Sequence, residues 1–139
     1  MSRFILMLGA ACLLGGTAYA ETVPFTATLT GAAQVPPKAT EGKGTATASL
    51  DTDTKVLTYT VEYTGLSGPA TAAHFHGPAE PGANAGVAVP FPSAASPVKG
   101  TATLTDAQMA DLMAGRWYAN VHTAANPGGE VRGQMQRGR

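Results

Sequence analysis

Residues 56–63 alternate without a break. Leu57, Tyr59, Val61 and Tyr63 fall on one side, and Thr58, Thr60 and Glu62 on the other. Successive side chains of a strand project to opposite faces, so a period of two specifies a β-strand with one buried face. The rhythm recurs at 25–30, where Phe25, Ala27 and Leu29 oppose Thr26, Thr28 and Thr30, and at 42–50, through Thr45, Ala46, Thr47 and Ala48. Asp51-Thr52-Asp53-Thr54 is turn chemistry, and it joins the strands on either side in a hairpin. Val35-Pro36-Pro37 lacks the N–H groups of a central strand and reads as an edge or a crossover. Further short strands are expected at 71–76, 87–89, 98–104, 116–122 and 130–136. Residues 77–86, with Gly77, Pro78, Pro81, Gly82 and Gly86, must be a loop. This pattern predicts an all-β fold, a Greek-key β-sandwich or barrel of roughly seven to nine short strands.

One helix interrupts it, near 105–114. Thr105 is an N-cap, Gln108 completes a capping box, and Asp106 favours the positive helix end. Met109, Leu112 and Met113 then recur at helical spacing, and Gly115 is a fitting stop. The two methionines read as core rather than as thioether ligands.

The first residues stand apart from this. Arg3 precedes an apolar run at 4–14, and Ala18-Tyr19-Ala20 has the small-x-small form of a cleavage site. The run is shorter than the about 20 apolar residues a spanning helix needs. The expectation is a signal peptide over 1–20, cleaved after Ala20, and export to the bacterial periplasm or the cell exterior. Cys12, the only cysteine, lies inside this leader. A lipid-modified Cys12 is the alternative, but Leu8-Gly9-Ala10-Ala11 is a poor acylation motif. Residues 21–139 then form a single domain with no cysteine, which excludes disulfides and thiolate metal sites. Without Arg3 the nine Lys and Arg fall to eight, against nine Asp and Glu. No basic patch suggests nucleic acid.

The chain has three histidines, His74, His76 and His122. His74-Phe75-His76 on a strand puts both imidazoles on one face and Phe75 on the other. On 116–122 the apolar side holds Trp117, Ala119 and Val121, so Tyr118, Asn120 and His122 face away. All three imidazoles are therefore expected on the outer surface, beneath the loop 77–86 and the turn 123–129. Three exposed, unrelated histidines are the simpler alternative. Three nitrogens on one face instead fit a metal site, with copper preferred over zinc by the Irving–Williams order. A three-ligand set also leaves a coordination position open, as catalytic sites do.

Two charged residues follow the 123–129 turn. Arg132 either lies near the site and attracts a small anion or is a solvent-facing sheet arginine. Glu130 reads as a plain surface carboxylate, with orientation of a histidine N–H as the other possibility.

Ala73-His74-Phe75-His76-Gly77-Pro78-Ala79, Tyr118-Ala119-Asn120-Val121-His122-Thr123 and Asn126-Pro127-Gly128-Gly129-Glu130-Val131-Arg132-Gly133-Gln134 resemble the CHRD domain, a chordin-type module also common in exported bacterial proteins. Leu29-Thr30-Gly31 and Val35-Pro36-Pro37 resemble its opening, so the likeness spans 22–136. The H-x-H strand, the distant His122 and the arginine after a Gly-Gly turn more loosely resemble the copper/zinc superoxide dismutases. That resemblance implies copper ligation by His74, His76 and His122, with Arg132 attracting superoxide. The chain departs from it in having no bridging fourth histidine, no zinc loop and no disulfide, so any such enzyme would be copper-only. The alternatives are a copper carrier or a non-catalytic extracellular interaction module. Zinc-dependent hydrolysis lacks an evident general base.

Overall fold

A computed structural model of the chain describes residues 21–138. The leader read at 1–20, with Cys12 and the cleavage point after Ala20, lies outside the described residues. The elements run β1 (Thr22–Thr30), β2 (Lys43–Asp51), β3 (Val56–Thr64), β4 (Ala70–His76), β5 (Val87–Pro90) and β6 (Val98–Thr103). The helix α1 (Asp106–Met113) follows, then β7 (Tyr118–Thr123), β8 (Val131–Gln134) and β9 (Gln136–Arg137). All strands join one sheet in the order β5-β4-β7-β8-β1-β2-β3-β6, with β9 beside β1. Every pairing is antiparallel. The chain leaves the β1-β2-β3 meander and crosses over before β4, β6 and β7, so the sheet is a Greek-key, nearly closed barrel. Its edges are β5 and β6; both are short, and β5 ends at Pro90, which suits an edge strand.

The alternation holds residue by residue. Val23, Phe25, Ala27 and Leu29 of β1 and Leu57, Tyr59 and Val61 of β3 are buried, while Thr26, Thr28 and Thr58 are exposed. The β2–β3 hairpin forms where expected, and Asp51 Oδ1 closes its turn by accepting from the Asp53 and Thr54 N–H groups at 2.9 and 3.0 Å. At the centre of the core, Phe75 meets Tyr59, Phe91 and Trp117 with ring centroids 5.1, 4.8 and 5.7 Å away.

The helix starts as its caps require. The Gln108 N–H donates to the Thr105 hydroxyl at 3.1 Å, and the Thr105 N–H donates to Gln108 Oε1 at 3.0 Å. Gly115 takes φ +74° at its end, a conformation that favours glycine. Leu112 is its one buried residue; Met109 and Met113 are only partly buried against the core, so the reading of both as core is corrected to its margin.

Two strand expectations also need correction. The last strand is not continuous over 130–136: it breaks at Met135, which is fully buried, before Gln136 and Arg137 pair with β1. Residues 35–37 form no strand; they lie in the loop between β1 and β2.

Candidate metal centre

Strands β4 and β7 are neighbours, with His74 opposite Asn120, His76 opposite Tyr118 and Ala72 opposite His122. His122 is therefore diagonal to His74 on the outer face, a spacing that long side chains bridge. Phe75, Trp117 and Val121 point into the core at 0–1% exposure, so the face assignment made from the sequence holds. One ring nitrogen from each of His74, His76 and His122 lies within 4.8 Å of the other two. His74 Nδ1 and His122 Nε2 are 3.1 Å apart.

The hydrogen bonds set the tautomers of two rings. A carbonyl oxygen can only accept, so a ring nitrogen bonded to one must carry the proton. His76 Nδ1–H donates to the Ala85 carbonyl at 3.0 Å, and His122 Nδ1–H donates to the Pro127 carbonyl at 2.9 Å. Each Nε2 is left with its lone pair. His76 Nε2 is buried and meets no partner in full hydrogen-bond geometry, although the Asn120 side chain approaches the ring; Gln34 Nε2, Asn120 Oδ1 and Gln134 Oε1 are buried without partners as well. Buried polar atoms are rarely left so. Burial also lowers the pKa of His76, against the Ala85 and Asn120 contacts, and lowers that of His74, where His122 and His76 add to it. Neutral imidazoles are the form that binds a metal.

The 77–86 loop covers His76, as expected, and Arg132 holds that loop. Its guanidinium donates to Asn84 Oδ1 at 3.0 Å and to the Ala83 carbonyl at 2.6 Å. Its Cζ lies 3.5 Å from the centre of the Tyr118 ring, and Tyr118 stacks on His76 at 4.8 Å and 3°. The solvent-facing alternative for Arg132 is therefore overturned: the residue is 2% exposed. No ion pair among the described residues engages it. It also walls a cleft of about 370 Å³, with Gln34, Val35, Pro81, Gly82 and Gln134.

Glu130 is not the surface carboxylate expected, nor does it touch a histidine. It is fully buried. Its oxygens accept from the Thr40 hydroxyl at 2.9 Å, the Ser67 N–H at 2.9 Å, the Thr123 hydroxyl at 2.8 Å and the Asn126 amide at 3.0 Å. The Ser67 hydroxyl is a fifth donor. Burial alone would push the carboxyl up, but the bonds from Ser67, Thr123 and Thr40 hold it down to about 2. The donors come from three separate loops, which hold Thr40, Ser67 and Asn126, and from Thr123 at the end of β7, and nothing in their local sequence marks them as partners of Glu130.

A depressed carboxylate gives a signed prediction. Its contribution to stability is complete above the ordinary value of 4.5 and is lost as pH falls toward 2. Urea-unfolding midpoints measured between pH 6 and pH 2.5 are expected to fall through this window. The fall should be shallower in Glu130→Gln, which has no carboxyl to protonate there; equal slopes in the two proteins would contradict it.

The family model described as the CHRD domain matches residues 25–135. No curated protein and no solved structure matches the chain.

Proposed function

The chain belongs to the CHRD domain family, and from that premise we propose that it is an exported copper-binding protein whose three-histidine centre removes superoxide. The observation that carries this reading is the convergence of one ring nitrogen from each of His74, His76 and His122, with the Nε2 lone pairs of His76 and His122 left free by the carbonyls that hold their Nδ1–H groups. The buried, unpartnered His76 Nε2 supports it further, because a cation would complete that atom. An all-imidazole set suits both copper and zinc, and at one such site copper binds the more tightly.

Bound there, copper would supply a one-electron Cu(I)/Cu(II) couple. The net reaction consumes two superoxide anions and two protons and yields dioxygen and hydrogen peroxide. His74, His76 and His122 would hold the ion. Arg132 would add positive potential beside the His76–Tyr118 stack, where a small anion is drawn. The 77–86 loop and the 123–129 turn keep the backs of His76 and His122 fixed, so the centre needs little rearrangement.

One observation favours a second reading, a copper carrier without turnover: Arg132 already spends hydrogen bonds on Asn84 and Ala83. The two readings separate in one experiment. Purified protein loaded with one equivalent of copper is followed by stopped-flow decay of superoxide. Decay well above that of buffer with an equal concentration of apo-protein supports the dismutase. Tight 1:1 binding with background decay leaves the carrier, and no copper binding removes both.

A further inference from the structure

We infer that Glu130 is a positioning residue for the metal centre, acting through the 123–129 turn to hold the Pro127 carbonyl that directs the His122 ring. This rests on the reading of the three histidines as metal ligands.

His122 is less enclosed than His76. Its ring is half-buried, and apart from His74 the one hydrogen-bonding atom behind it is the Pro127 oxygen at 2.9 Å. That oxygen belongs to a turn, and the direction of a turn carbonyl depends on what holds the turn. Thr123 follows His122 directly, and Asn126 precedes Pro127. Glu130 Oε1 accepts from both, from the Thr123 hydroxyl at 2.8 Å and from Asn126 Nδ2 at 3.0 Å. One carboxylate oxygen therefore fastens the two ends of the segment. Backbone bonds close it, Asn126 N–H to the Thr123 carbonyl at 3.1 Å and Gly129 N–H to the Asn126 carbonyl at 3.0 Å. Gly129 takes φ +119°, where a side chain would also run into Gln34 and Asn120, so the chain can turn back sharply into Glu130.

The other carboxylate contacts explain why the anchor does not move. Thr40 and the Ser67 N–H bind Oε2, from the loops before β2 and before β4. Collecting these donors at one buried point calls for a group that only accepts and has two oxygens to share among them. A carboxylate meets that demand. A carboxamide offers one oxygen, and its NH₂ would face hydroxyl and amide donors.

Residues that orient a metal-bound histidine change affinity by roughly 10–100-fold without touching the ion. Glu130→Gln is therefore expected to weaken copper binding by about that factor. The decisive readout does not need copper. In the ¹⁵N-labelled apo-protein, long-range imidazole ¹⁵N–¹H spectra should give the Nδ1–H tautomer for both His76 and His122. In Glu130→Gln, His122 should move to a mixture of tautomers while His76 keeps its own. Asn126→Ala removes one bond from the network and should shift His122 in the same direction, by less. A folded Glu130→Gln with wild-type His122 tautomer overturns the inference. If Glu130→Gln does not fold, an unchanged His122 in Asn126→Ala overturns it. Failure of wild-type protein to bind copper would instead remove the metal reading and leave the tautomer result standing.

Discussion

Replacing His76 with alanine is expected to weaken copper binding by more than about 100-fold, beyond the range that orienting residues command. Of the three rings, His76 has the strongest structural case. Its Nδ1–H is committed to the Ala85 carbonyl, and its Nε2 is buried with no partner in full hydrogen-bond geometry. The ring is clamped between the 77–86 loop and Tyr118, so it has no need to search for its ligating geometry. Removing it deletes a ligand already in place. The barrel should survive, because His76 faces away from the core that Phe75 and Trp117 fill. Competition against a chelator of known copper affinity, with circular dichroism on the same samples, checks both halves. A folded His76→Ala within about tenfold of wild type would mean that His76 is an oriented bystander.

The second large effect is on stability. Phe75→Ala should cost about 3–5 kcal/mol, the usual range for emptying a buried aromatic site. That is a large part of the about 5–15 kcal/mol that holds a domain together. Phe75 is fully buried and touches three aromatic rings, so neighbours cannot all relax into the space. His74→Ala, one residue earlier on the opposite face, should cost far less, because its ring is half-buried beside other imidazoles. Urea midpoints at unchanged m compare the two directly. A cost under about 1 kcal/mol for Phe75→Ala would reverse the faces of β4 and detach the histidines from one another.

Much of this was legible in the order of residues. The period of two located the sheet, and the parity of His74-Phe75-His76 and of Trp117-to-His122 placed all three imidazoles on the same side. Thr105 and Gln108 marked the helix start because capping is local chemistry, satisfied within three residues. What parity cannot report is what lies over a strand face. Glu130 and Arg132 alternate outward from Val131, as surface residues would, yet each is buried under loops distant in sequence. Glu130 meets Thr40 and Ser67 across separations of 90 and 63 residues. No local pattern encodes such meetings; they follow from strand order, which sets β8 between β7 and β1. The break at Met135 is hidden for a similar reason. Alternation continues through it, and only the ladder to β1 reveals the interruption.

The centre itself is tested most directly by diffraction from copper-loaded crystals, with data on either side of the copper absorption edge. One anomalous peak is expected, about 2 Å from a ring nitrogen of each of His74, His76 and His122. A peak that leaves any one of these nitrogens outside coordination distance, or copper bound elsewhere on the chain, would contradict it.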